Sequence, residues 1–303
     1  MNTSPERHLI IPVREPFSFT QNLNYLSRSP NECLFQIRDG RIYRAIPVGQ
    51  FTPVIEISEN ADHSLKVTFQ GNRPPTSGWI HEEVTKYVRE WFDLDRDLLH
   101  FYELARTDPL LQQAVSLFHG LRIIGIPDLF EAVSWGILGQ QINLTYAYTL
   151  KRRLVERFGK PIVCDGRQHW VFPSAADIAG LTVQDLSELR MTVKKCEYLI
   201  GAAQLIADGT LTKEILLEAG SAGRAEEILV SIRGIGPWTA NYVLMRCLRI
   251  PSAFPIDDVG LHNAIKKLTG SERKPTKREI RKLSAAWTDW EAYATFYLWR
   301  FLY

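Results

Sequence analysis

LVSIRGIGPWTANYVLM, residues 229–245, decides how the second half of the chain is built. A helix over about 224–232 has to stop at Arg233-Gly234-Ile235-Gly236, and a second helix starts at Pro237. Proline is favoured at the first helical position because the N–H it lacks would have had no partner there. Two glycines around one apolar residue allow a very tight turn, with Ile235 buried as a peg between the helices. Backbone amides at such a turn, at the positive end of the new helix, are free to grip a phosphate. From Gly234-Ile235-Gly236 alone, an ordinary glycine corner between two helices is an equal reading.

Downstream, twenty residues after Trp238, the stretch FPIDDVGL, residues 254–261, carries a pair of carboxylates, Asp257 and Asp258. Both stand just before a helical run over 259–268, so either is also a good helix N-cap. Upstream, the apolar period is about 3.6 from residue 81 onward: Val84, Tyr87, Val88, Trp91 and Phe92 share one face. Asp128 with Glu131 has the spacing of a capping box, and Asn143 caps a further helix that stops at Gly159. Before residue 81 the period is two, in short runs over 8–13, 33–37, 42–48, 51–57 and 65–69. Asp39-Gly40 marks a tight hairpin, residues 59–62 a second turn, and GNRPPTSG, residues 71–78, closes the region. The expectation is an α+β chain: an N-terminal antiparallel β-sheet domain with helices over 1–80, then an all-α domain over 81–303 whose hairpin lies at about 224–248.

With 303 residues, 45% of them hydrophobic, the chain has ample material for a buried core. A net charge of +2 and a pI near 8.3 are too mild to announce a nucleic-acid binder, so any such claim must rest on local features. Cys33, Cys164, Cys196 and Cys247 lie far apart, without the spacing of a zinc or iron–sulfur site, and read as reduced thiols. The N-terminal residues lack a secretory pattern, and no apolar run is long enough to cross a membrane. The expected location is the cytoplasm.

Five ordered segments carry a resemblance. They are FDLD (92–95), ILGQQI (137–142), the hairpin with WTANY (238–242), Asp258, and WEAYA (290–294). On these residues the chain resembles the helix-hairpin-helix DNA glycosylase superfamily, and within it the alkylpurine branch typified by bacterial 3-methyladenine DNA glycosylase II. The resemblance implies a monofunctional enzyme, a hydrolase that flips an alkylated purine of the 3-methyladenine or 7-methylguanine type out of duplex DNA and breaks its N-glycosidic bond, opening base excision repair. It implies Asp258 as the catalytic carboxylate, with Asp257 structural, and Trp238, Tyr242 and Trp290 as pocket aromatics. Gly234, Ile235, Gly236 and Thr239 fall on the DNA-binding hairpin. Gln141 stands where the best-known relative inserts a leucine wedge, a departure from the pattern, and Gln140 braces the loop from inside. Some relatives hold a monovalent cation on hairpin carbonyls, which correspond to Val230, Ile232 and Gly234. Superfamily members that also cut the strand carry a lysine at the position of Trp238, and indole cannot form their Schiff base. No cofactor is expected, and the partner is double-stranded DNA containing damaged bases, met by a monomer with no membrane association.

Bland readings stand beside these. The aromatics also suit helix packing, Gln141 a polar linker, and the basic run Lys266, Lys267, Arg273, Lys274, Lys277, Arg278, Arg281, Lys282 a solvated helix face. An oxidised-purine glycosylase of the same superfamily and a non-catalytic lesion-binding module are the competing functions.

Overall fold

The computed structural model describes residues 7–72 and 75–303. β1 (His8–Ile11), β2 (Phe35–Arg38), β3 (Arg41–Ala45), β4 (Val54–Glu59) and β5 (Leu65–Phe69) form an antiparallel sheet in the order β1-β5-β4-β3-β2. Its register places Ile37, Ile42, Ile57, Val67 and Leu9 opposite one another in a single row. A period of two puts such a row on one face; here Ile42, Ile57 and Val67 are wholly buried. Asp39 and Gly40 both take positive φ, 49° and 71°, as a two-residue hairpin turn requires. Part of the expected closing stretch, residues 73 and 74, lies outside the described residues.

The helices are α1 (Phe19–Leu26), α2 (Gly78–Trp91), α3 (Leu99–Thr107), α4 (Leu111–Leu117), α5 (Leu129–Gly139), α6 (Leu144–Phe158), α7 (Ala175–Ala179), α8 (Val193–Ala207), α9 (Lys213–Leu217), α10 (Ala222–Val230), α11 (Pro237–Arg246), α12 (Val259–Thr269), α13 (Lys277–Leu283) and α14 (Glu291–Trp299). Two elements stand outside the sequence reading. Helix α1 is anchored by the wholly buried Asn22, which donates to the Gly120 carbonyl and accepts from the Arg122 amide. A hairpin of β6 (Lys160–Cys164) and β7 (Arg167–Val171) turns at Asp165-Gly166, with φ of 49° and 71°. The second Asp-Gly pair thus carries the same signal as the first. The hairpin sits against the large sheet, where Gln36 Nε2 donates to the Gln168 carbonyl.

Two apolar clusters organise the rest. One runs from the sheet through α2 and α3 to α11 and α14; the other gathers Leu138, Leu150, Leu154, Ile178 and Leu199 of α5 to α8. Helix α5 belongs to both, with Ile137 in the first and Leu138 in the second, so its C-terminal end emerges between them. Asp128 caps α5 by accepting from the Glu131 amide at 2.7 Å, but the expected capping box is only half made. Glu131 turns instead to Lys151 at 3.1 Å and Arg44 at 3.4 Å, because a buried ammonium and guanidinium are stronger partners than an amide. Asn143 caps α6 as expected, accepting from the Tyr146 amide. Burial pushes the Cys33 and Cys247 thiols up to about 12, which leaves both inert near neutral pH. Among the described residues no helix is long and apolar enough to cross a membrane.

Candidate active site

The hairpin forms as the glycines dictate. Helix α10 ends at Val230, α11 starts with Pro237 at its first turn, and Ile235 is buried between them. Gly234 has φ +93°, and a Cβ there would lie 2.2 Å from the Tyr198 ring. A Cβ on Gly236 would meet nothing within 4 Å, so the turn is open on that side. Among the described residues the amides of Gly236, Trp238 and Thr239 have no hydrogen-bond partner. The Thr239 side chain is a correction to the sequence reading: it is buried against Gly136 of α5, and its hydroxyl accepts from Gln140 Nε2 at 3.2 Å. Only its amide faces the turn. The same Gln140 nitrogen donates to the Gly234 carbonyl at 2.8 Å, tying the α5 end to the hairpin.

Helix α11 carries the site forward from this turn. Trp238 and Tyr242, one turn apart, have ring centroids separated by 5.6 Å, and Trp299 of α14 continues the row 6.4 Å from Tyr242. These rings line a cavity of about 630 Å³ that also meets Tyr25, Arg28, Trp135, Gln141 and Tyr303. Asp258 stands at its edge, 8% exposed. It is at once the N-cap of α12 and a cavity residue, so the two readings of this carboxylate coexist. Oδ1 accepts from the Leu261 amide and from Trp299 Nε1, both at 2.7 Å; Oδ2 accepts from Trp238 Nε1 at 2.9 Å. Gly260 makes room for this clamp, since a Cβ there would come within 2.8 Å of Oδ1. Asp257 also meets the cavity but is paired with Lys277 at 2.6 Å.

Burial pushes the Tyr242 hydroxyl above its usual range, so it stays neutral, accepting from Arg246 Nη1 at 2.8 Å. Gln141 is exposed, holds φ +56° and forms the tip of the loop between α5 and α6 at the cavity mouth. Trp290 does not reach the cavity. It packs on Phe101 and Tyr293, with centroids 5.8 and 5.9 Å away, and Trp299 takes the place expected of it. Nine residues at about 100° each amount to two and a half turns, which puts these two tryptophans on opposite faces of α14. Tyr25, Trp135 and Tyr303 were missed as well, for want of any motif around them. In the basic run, Lys277, Arg273 and Lys267 are spent on Asp257, Glu279 and the Phe301 carbonyl.

The Ile232 and Gly234 carbonyls each accept one hydrogen bond, from the Ile235 amide and from Gln140, and keep a second lone pair; Val230 contributes a third carbonyl from the same turn. This all-carbonyl set without a carboxylate fits a weakly held monovalent cation.

A glycine-pinched pair of helices, opening its second helix onto a clamped carboxylate in an aromatic cavity, defines a helix-hairpin-helix protein with an acidic site. The model of the HhH-GPD superfamily of base excision DNA repair proteins matches residues 135–289, and that of the 8-oxoguanine DNA glycosylase N-terminal domain matches residues 17–133. The chain belongs to the HhH-GPD superfamily. It is 52% identical over 295 residues to a DNA-3-methyladenine glycosylase of Bacillus subtilis, covering 97% of each chain. With DNA-3-methyladenine glycosylase 2 of Escherichia coli the identity is 26%, over 94% of each. Among solved structures, a 3-methyladenine DNA-glycosylase from Archaeoglobus fulgidus superposes with a TM-score of 0.80 at 22% identity, covering 97% of both chains. An 8-oxoguanine glycosylase/lyase of Clostridium acetobutylicum gives 0.75 at 20%, over 98% and 95%. At these identities the last two speak for the fold alone.

Proposed function

We propose that this protein is a monomeric, monofunctional DNA glycosylase that turns an alkylated purine out of duplex DNA and hydrolyses its N-glycosidic bond. The observation that carries the reading is the Asp258 carboxylate, fixed by two indole N–H groups at the edge of an aromatic cavity. Base loss passes through a transition state with positive charge on the sugar, and a preorganised anion beside it lowers the barrier. Oδ1 is saturated by donors from the protein, which leaves Oδ2 to face the sugar and to orient water.

The free amides of the hairpin take a backbone phosphate, and Gln141 enters the gap left by the extruded nucleotide. Trp238, Tyr242 and Trp299 offer electron-rich rings to an alkylpurine, whose positive charge strengthens stacking and makes it a good leaving group. The name of the 52% identical relative supports that substrate class. Trp238 offers no amine for a Schiff base, and its N–H is given to Asp258, so the strand is left intact. A monovalent cation on the Val230, Ile232 and Gly234 carbonyls would add positive charge beside the phosphate.

Release of 7-methylguanine or 3-methyladenine from methylated duplex, abolished in Asp258→Asn, is the test. DNA binding without release of any base would instead establish a lesion-binding module. The match of residues 17–133 to the 8-oxoguanine DNA glycosylase N-terminal domain favours one competing reading, an oxidised-purine enzyme; preferential release of 8-oxoguanine would decide for it.

A further inference from the structure

The rear wall of the cavity comes from α1, an element outside every motif quoted above. Arg28, just beyond its end, lies with its guanidinium 3.9 Å from the Tyr25 ring centroid and 5.7 Å from that of Tyr148. Among the described residues its one hydrogen bond runs from Nη1 to the Tyr25 carbonyl at 2.9 Å, and no carboxylate comes within 4.0 Å of it. Neighbouring Arg246 is different. It is buried, and its N–H groups are spent on the Ile124 carbonyl at 2.6 Å and on the hydroxyls of Tyr25 and Tyr242. The wall therefore holds two positive charges without a counter-ion, and only Arg28 has donors left to give.

Both facts bear on the base. A guanidinium already resting on the Tyr25 and Tyr148 rings repels a cationic purine from that end of the cavity. Its remaining N–H groups need acceptors, which the ring nitrogens and carbonyl of a neutral purine supply. A cationic alkylpurine leaves as a neutral molecule. When the bond from C1′ to N9 of a neutral purine breaks, the electron pair goes to the base, which departs as an anion. The water oxygen bonds to C1′, and a proton of that water reaches the base through solvent. Arg28, permanently protonated, contributes charge rather than the proton.

We propose that Arg28 is a specificity-determining residue that extends the substrates to neutral, acceptor-edged purines such as hypoxanthine by stabilising the departing base. This rests on the glycosylase reading above and names a class of base that reading does not include. Single-turnover release is measured from duplexes holding one hypoxanthine or one 7-methylguanine, for the wild type, Arg28→Gln and Arg28→Lys. Arg28→Gln is expected to lose about tenfold or more on hypoxanthine and to hold or gain on 7-methylguanine, with Arg28→Lys between. The second lesion reports whether the variant is folded. Equal losses on both lesions, no loss on either, or a wild type that releases 7-methylguanine but not hypoxanthine would overturn the role of Arg28 and leave the alkylpurine reading intact. A wild type that releases neither base would overturn both.

Discussion

Replacing Asp258 by Asn removes one negative charge and little else. Asparagine caps a helix as well as aspartate, so its carbonyl oxygen, placed where Oδ1 is, keeps the Leu261 and Trp299 donors. The amide nitrogen then faces Trp238 Nε1, donor against donor, which costs about 1 kcal/mol of stability. Chemistry should lose far more. A unit charge about 4 Å from the sugar cation, at an effective dielectric constant of about 20, contributes about 4 kcal/mol. That corresponds to about a thousandfold in rate. Single-turnover release of 7-methylguanine from methylated duplex reads the rate, with affinity for the same DNA and a thermal melt measured alongside. The expected result is retained affinity, a small shift in melting and a thousandfold slower release. A rate within about tenfold of the wild type would refute the placement of this carboxylate beside the sugar.

The hairpin glycines separate folding from binding: Gly236→Ala, whose Cβ meets nothing, should melt within about 1 kcal/mol of the wild type yet bind duplex about tenfold more weakly. Gly234→Ala should cost about 3 kcal/mol through the Tyr198 ring and its positive φ; unchanged DNA affinity in both would remove the phosphate site. Trp299→Phe deletes a donor to Asp258 Oδ1 and should slow base release about tenfold, whereas Trp290→Phe should cost about 1 kcal/mol in a melt and leave the rate alone; the opposite pattern would return Trp290 to the pocket. In the buried cluster Lys151 bridges Glu32 and Glu131 at 3.2 and 3.1 Å. Burial alone would raise the Glu32 carboxyl, but Lys151 and the Leu34 amide more than offset it and hold it below its ordinary value. That stability is present above the unfolded carboxylate range and lost as pH falls through the folded value. Lys151→Met should cost about 3–5 kcal/mol at neutral pH and reverse the sign, with the variant losing less of its stability on acidification, as urea melts at pH 7 and 5 will read; parallel pH profiles would exclude the ammonium as the cause.

The legible parts of this molecule are those whose physics is local. An Asp-Gly turn, an N-cap three residues before its amide, a proline after two glycines and a row of alternating isoleucines each need a few neighbouring residues to act, and each stands where it was expected. Asp258 was legible twice over, as a cap and as the carboxylate of the resemblance, and it serves the first role while facing the cavity of the second. The β6–β7 hairpin carried the same Asp-Gly signal and was passed over because helical runs flank it on both sides.

What the amino-acid order determined alone was the list of elements, the glycine-pinched hairpin and one acidic residue at a helix start. Which side chains meet was decided only by packing. Every side chain of α14 is buried save its first, so periodicity says nothing about which tryptophan faces the cavity. Glu131 leaves its own helix end because Lys151 and Arg44 arrive from elsewhere. Arg28 and Tyr25 reach the cavity because Asn22 locks α1 onto the backbone at Gly120 and Arg122, about a hundred residues away, and no local rule carries across such a distance.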